Sequence, residues 1–203
     1  YLSEYAGERT RRIVKPILEL LAGMPTIVLG FFALNSITPA LQAIGIVADD
    51  QLFNALSAGI VVGLLIVPLI ASLSEDALRA VPQSMREGAY GLGATKRVVA
   101  TRIVFPAALS GIMASIVLGL SRAIGETMAV TLAAGTQPNF TANPTEPVQT
   151  ITAVIVAVSK GEATRGSDLY TSIFAIGLVL FVVTLVINVV AINLVRRYRT
   201  VYH

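Results

Sequence analysis

Two charged residues stand inside one long apolar run, Arg122 and Glu126 within residues 107–134. They are four apart, so one continuous helix would put them on one face. A guanidinium donates two parallel charge-assisted hydrogen bonds, which suits a tetrahedral oxyanion. Glu126 would neutralise Arg122 between ligands, and an arriving anion would displace it. Binding then stays weak enough for release. The same two residues also fit a structural ion pair that holds helices in register. Other chemistry is scarce. The chain has no cysteine, which removes disulfides, thiolate metal sites and cysteine nucleophiles. No glycine loop followed by Lys and Ser/Thr is present to cradle a nucleotide's phosphates, so the chain itself should not hydrolyse ATP.

The elements that must position this pair lie in a membrane. Of 203 residues, 55% are hydrophobic and 13% charged, against about 25% charged in a soluble domain. A net charge of +3 with basic loops gives no warrant for a nucleic-acid partner; the lipid bilayer is the partner implied. A span needs roughly 20 apolar residues. Four stretches qualify: residues 16–47, 52–73, 107–134 and 171–195. The first is interrupted by Pro25 and Pro39, which predicts a bend or an extension beyond the bilayer. Residues 148–158 are too few to cross and read as re-entrant or as lying against the outer mouth. Measured from Pro106, Arg122 falls about 24 Å along its helix, near or just past the midplane. Charge there costs roughly 2.5–3.5 kcal/mol or more, so the pair should face the bundle interior or a water-filled path.

Loop charges set an orientation. Arg9, Arg11, Arg12 and Lys15 precede the first span. Residues 74–106 carry Arg79, Arg86, Lys96, Arg97 and Arg102, and the tail carries Arg196, Arg197 and Arg199. The 36–51 connection has Asp49 and Asp50 but no Lys or Arg, and 135–170 has only Lys160 and Arg165. Positive loops stay in the cytoplasm, so the leader, the 74–106 loop and the C-terminus are placed there. The chain begins at Tyr1 with no signal-peptide pattern, which predicts a preceding natural segment that could hold further spans.

Residues 74–106 exceed the usual two to eight residues of a helix–helix link. Pro82 ends what precedes it. Ser84 and Glu87 have capping-box spacing, which predicts a helix from about Met85. Gly91 and Gly93 should break it, and a second amphipathic stretch with Val98, Val99, Ile103 and Phe105 apolar should run to Pro106, where the third span begins. Such a knob of apolar residues and mixed charge fits a groove on a soluble partner. An ordinary interfacial hairpin is the plainer alternative.

The stretch reads Glu87-Gly88-Ala89, three residues, Gly93, nine residues, Ile103-Val104-Phe105-Pro106. It resembles the EAA loop of ABC importer permeases, with Gly88 for an Ala and Phe105 for a Leu. The run from Ser121 to Val130 resembles the corresponding span of phosphate ABC permeases, and Gly125-Glu126-Thr127-Met128-Ala129-Val130 looks more like the PstC-type subunit than the PstA type. Residues 1–6, 17–26 and Gly161-Glu162-Ala163 also resemble that subunit. The resemblance covers essentially the whole chain. It implies an all-α polytopic bundle of the type I importer kind, forming one permease domain over 1–203 with the 74–106 loop inside it. It implies a multi-pass protein of the bacterial inner membrane that moves inorganic phosphate, with Arg122, Glu126 and Thr127 on the substrate path or gate. It also implies that Arg86, Glu87, Gly88, Ala89 and Gly93 dock an ATP-binding cassette ATPase dimer, which would hold the ATP and Mg that this chain does not. A second permease of the PstA type and an extracytoplasmic phosphate-binding protein would complete the assembly. Two rivals are a permease for another oxyanion, such as molybdate or sulfate, and a secondary carrier with Glu126 as proton relay.

The remaining polar and small residues read as packing. Gly59 with Gly63, and Ser115 with Gly119, would let helices approach closely. Lys15 and Glu19 fit a helix-surface pair. Asn188 and Asn193 fit interhelical hydrogen bonds, and Ser167-Asp168 the N-cap of the fourth span. Asn139-Phe140-Thr141 is a sequon by chance, in an irregular connection over 137–147.

Overall fold

The computed structural model describes residues 3–162, 164 and 166–197. Every regular element among them is a helix. Four are long and apolar enough to cross a membrane. Ala163, Arg165 and Arg199 lie outside the described residues.

The first helix, α1 (Glu8–Ala22), buries no residue; Ile13, Ile17, Leu20 and Leu21 line one exposed face. It stops at Gly23, whose N–H turns back to the carbonyls of Glu19 and Leu20. The first span is therefore shorter than the apolar run suggests. It is α2 (Thr26–Ala43), and it starts after Pro25 rather than at Pro16. A proline pushes the residue before it out of the helical region, so Met24 cannot continue α1 into α2. Pro39, by contrast, sits inside α2 behind a π-helical turn at Ala33–Ile37. The wider turn accommodates a ring that would otherwise meet the carbonyl four residues earlier.

Next come α3 (Ala55–Arg79), α4 (Gln83–Gly91) and α5 (Lys96–Gly125). Two short helices follow, α6 (Met128–Ala134) and α7 (Ile151–Gly161), and then α8 (Asp168–Arg197). The N-cap expected before α8 forms: the Tyr170 N–H donates to Ser167 Oγ over 3.2 Å. Residues 137–147 are irregular, as their composition predicts.

The chain packs as two compact units, one of residues 1–23, 66–121 and 187–203, the other of 24–65 and 122–186. In the first, Val81, Ala89, Val99, Val104 and Ala108 form a core. Helices α3 and α5 approach closely there. A Cβ on Gly119 would lie 2.7 Å from Ile70 Cδ1, and one on Gly111 2.6 Å from Ala77 Cβ. Between them Ser115 Oγ bonds Ser74 Oγ at 2.8 Å. The small-residue pair read from the sequence thus extends one turn further, to Gly111. Asn188 accepts from Ser121 Oγ at 2.6 Å, the interhelical bond expected of it, while Asn193 is exposed. In the second unit α2 lies on α6. Gly30 is the contact point, since a Cβ there would sit 2.8 Å from Leu132 Cδ1. Leu29, Ala33, Val61, Leu65 and Ala133 fill the core around it. Gly59 and Gly63 face open space, so the close approach expected of them is not made among the described residues.

Candidate functional site

Helix α5 ends at Gly125, between the two charged residues. The shared face of Arg122 and Glu126 required an unbroken helix, and the chain does not supply one. Arg122 lies in the last turn of α5, half-buried, where the carbonyl end of the helix favours a cation. Glu126 is past the end and only 8% accessible. Its Oε1 accepts from the backbone N–H of Thr127 at 3.2 Å and of Ala129 at 3.4 Å. The side chain thereby caps α6. Its own carbonyl accepts from Thr152 Oγ1 at 3.0 Å. Thr127 donates through Oγ1 to the Gly125 carbonyl at 3.0 Å.

The break has a local cause. Glycine is the weakest helix former after proline, and a carboxylate one residue later competes for backbone N–H groups. Non-helical backbone within an apolar segment is tolerable only when its polar groups find partners. Here Glu126, Thr127 and Thr152 provide them. Thr152 comes from α7, in the short apolar segment too brief to cross, which packs against α6 with Ala153 fully buried. The sequence showed no sign of that contact. The break itself had a signal, a glycine directly before the one carboxylate of the run.

The loop is more regular than its motif required. Helix α4 starts at Gln83, directly after Pro82, and no side chain caps it. Ser84 and Glu87 are both exposed, so the predicted capping box does not form. The ring of Pro82 fixes its φ, here −55°, and already sets the helix start at that point. Gly91 stays helical; the turn falls on Gly93, with φ +80°. Its N–H bonds the Tyr90 carbonyl at 2.9 Å and the Ala94 N–H bonds the Ala89 carbonyl at 3.1 Å. This pair of bonds is a Schellman motif, which needs the left-handed residue that glycine supplies. Ala89 and Ala94 pack on the same core. The second stretch is no separate helix: α5 runs from Lys96 through Pro106, with a π-helical turn at Val99–Val104 ahead of the proline. Glu87, Gly88, Tyr90 and Leu92 face outward, and Leu92 is 91% exposed. Arg86 points the other way. Its Nη1 donates to the Val81 carbonyl at 2.6 Å and its Nη2 to the Leu78 carbonyl at 2.8 Å.

One charge cluster was missed. Lys15 pairs with Asp76 and, at 3.2 Å, with Glu75, not with Glu19. Arg11 pairs with Glu75 as well. The hydrogen bond to Asp76 holds the Lys15 ammonium above its ordinary pKa, with Glu75 adding to it against partial desolvation.

Residues 1–200 match the family described as the binding-protein-dependent transport system inner membrane component. The chain is 33% identical over 184 residues to the probable ABC transporter permease protein YqgH of Bacillus subtilis, covering 91% of this chain and 59% of that one. It is 35% identical over 216 residues to the phosphate transport system permease protein PstC of Mesorhizobium japonicum, covering 97% and 65%. The chain thus spans about three fifths of the length of the curated relatives it matches. A solved structure of the MetNI methionine ABC transporter, in an inward-facing conformation, superposes with a TM-score of 0.73 at 16% identity, covering 97% of this chain and 82% of that one. That likeness is one of fold.

Proposed function

The chain belongs to the family of binding-protein-dependent transport system inner membrane components, and from that premise we propose that it is a membrane subunit of an ATP-driven phosphate importer. Alignment of 94–97% of this chain with relatives named PstC carries the substrate assignment. The break after Gly125 supports it physically. It interrupts an apolar helix and lodges a cation and a carboxylate at one level of the chain, Arg122 before the break and Glu126 after it.

In this reading Arg122 offers its planar donors to the phosphate oxyanion, and Thr127 lies beside the path. Glu126 shapes the path by holding the start of α6. The loop 74–106 and the C-terminus face the cytoplasm. Glu87, Gly88 and Tyr90 of α4, with Leu92 just past its end, meet an ATP-binding cassette ATPase dimer that carries ATP and Mg. Ala89 and Arg86 hold α4 to the helices above it, and Gly93 shapes its end. A second permease of the PstA type shares the path, and an extracytoplasmic binding protein delivers phosphate to the outer side.

Labelled phosphate uptake tests this in cells without their own importer, carrying the full-length gene and its partners. Wild type should import phosphate, and Arg122→Gln should not, at equal membrane abundance. Equal uptake by both would return Arg122 to a structural role. No uptake by assembled wild type would point to another oxyanion, and uptake that follows the proton gradient instead of ATP would point to a secondary carrier.

A further inference from the structure

We infer that the leader ahead of α1 is a latch on the loop helices, with Glu4 and Tyr5 as positioning residues for the transfer of motion from α4 to the spans. The inference rests on the reading of α4 as the ATPase contact. Glu4 Oε1 lies 3.2 Å from Arg86 Nη2 and accepts from Ser3 Oγ at 2.9 Å. The Lys96 ammonium stands over the Tyr5 ring, 5.3 Å from its centroid. Arg86 belongs to α4 and Lys96 is the first residue of α5, so the leader holds both sides of the Gly93 turn.

Arg86 shows what the latch supports. The carbonyls of Leu78 and Val81, to which it donates, lie at and just beyond the C-terminal end of α3. Carbonyls at a helix end have no partner inside the helix. Arg86 supplies one and thereby ties α4 to α3. Its side chain is only 12% accessible, and that of Glu4 13%. A guanidinium so buried needs a counter-charge to stay in place, and Glu4 provides it. The leader runs directly into α1, which is fastened to α3 by Arg11 and Lys15 on Glu75 and Asp76. Leader and α1 therefore brace α3, α4 and α5 together. Motion applied to α4 passes to α3 and α5 instead of being absorbed by the turns at 80–82 and 92–95.

The test uses the full-length protein with its partners in proteoliposomes, as wild type, Glu4→Gln, Arg86→Gln and the double variant. Glu4→Gln should assemble with normal ATPase stoichiometry yet use several-fold more ATP per phosphate imported. It should add nothing further in the Arg86→Gln background, since the two act in series. Amide exchange over residues 83–96 should be about tenfold faster in Glu4→Gln, the scale of one lost charge-assisted hydrogen bond. Unchanged exchange would overturn the latch. Unchanged ATP use per phosphate, with wild type importing normally, would overturn its part in coupling. If wild type assembles but imports no phosphate, the substrate reading fails and the exchange result still decides the latch. Should Glu4→Gln fail to fold, Tyr5→Leu with the same exchange readout over 92–98 decides instead.

Discussion

Helices α4 and α5 both end at a glycine, and they end in different ways. Helix α4 closes on Gly93 with backbone bonds alone, and the residues around the turn are exposed. Helix α5 closes at Gly125 inside an apolar segment, and side chains take over: Glu126 receives the N–H groups of Thr127 and Ala129, and Thr152 donates to the Glu126 carbonyl. The surroundings explain the difference. At an exposed turn, water can take the groups that the motif leaves over. In an apolar surround each leftover group costs free energy until a partner is found. The exposed ending is therefore local in sequence, while the buried one depends on a residue 26 positions away.

The comparison is broken most severely by removing the buried cap. Glu126→Ala leaves the N–H groups of Thr127 and Ala129 without their acceptor, at about 1–3 kcal/mol for each group left unsatisfied. The purified complex should melt at a markedly lower temperature and transport should fall with it. Glu126→Gln keeps a carbonyl oxygen in place and should restore most of the melting temperature. If the two variants melted alike, charge and not capping would be the role of Glu126.

The exposed ending should fail at the glycine itself. A left-handed φ costs an ordinary residue about 1–2 kcal/mol, and Gly93→Val adds a branched side chain at φ +80°. Transport should drop because α4 is misdirected, while the melting temperature moves less than for Glu126→Ala. ATPase activity that stays fully coupled to uptake in this variant would show that the turn geometry does not matter.

Much of the exposed region was readable in the sequence because its determinants are neighbours. Pro82 and Gly93 bound a helix and its turn within twelve positions, and Ser167 caps α8 from the adjoining residue. The spans were readable as apolar runs. What stayed hidden is what apolar periodicity does not record. The run 107–134 continues across Gly125 and Glu126, so the break was masked by the hydrophobicity on both sides. Lys15 had Glu19 four residues away as a plausible partner, yet it reaches Asp76 and Glu75. Only the fold brings those acids near. The start of the first span was misread for the opposite reason, as a local signal at Pro25 was outweighed by the apolar residues before it.

A smaller effect tests whether the buried ending is held from α7. Thr152→Val preserves shape and removes the hydroxyl that donates to the Glu126 carbonyl. One neutral hydrogen bond is worth about 1 kcal/mol net. The melting temperature should fall slightly, and amide exchange at Thr127 and Ala129 should quicken. Exchange unchanged at those two positions would mean that the cap stands without α7.

Gly125→Ala should do least, and for that reason it separates the two endings most cleanly. Beyond its chain neighbours and its own helix backbone, a Cβ built on Gly125 meets no heavy atom of the described residues within 4 Å, and its φ is not positive. Alanine therefore meets neither a clash nor a strained backbone. It favours helix over glycine by roughly 0.5–1 kcal/mol, which pushes α5 to continue through residue 126. Continuing the helix would take Glu126 away from two N–H groups and Thr152 from its acceptor, and those bonds together outweigh the propensity. The break should survive, with uptake near wild type. If alanine instead abolished transport while the complex stayed assembled, the glycine and not the side-chain cap would be what ends α5.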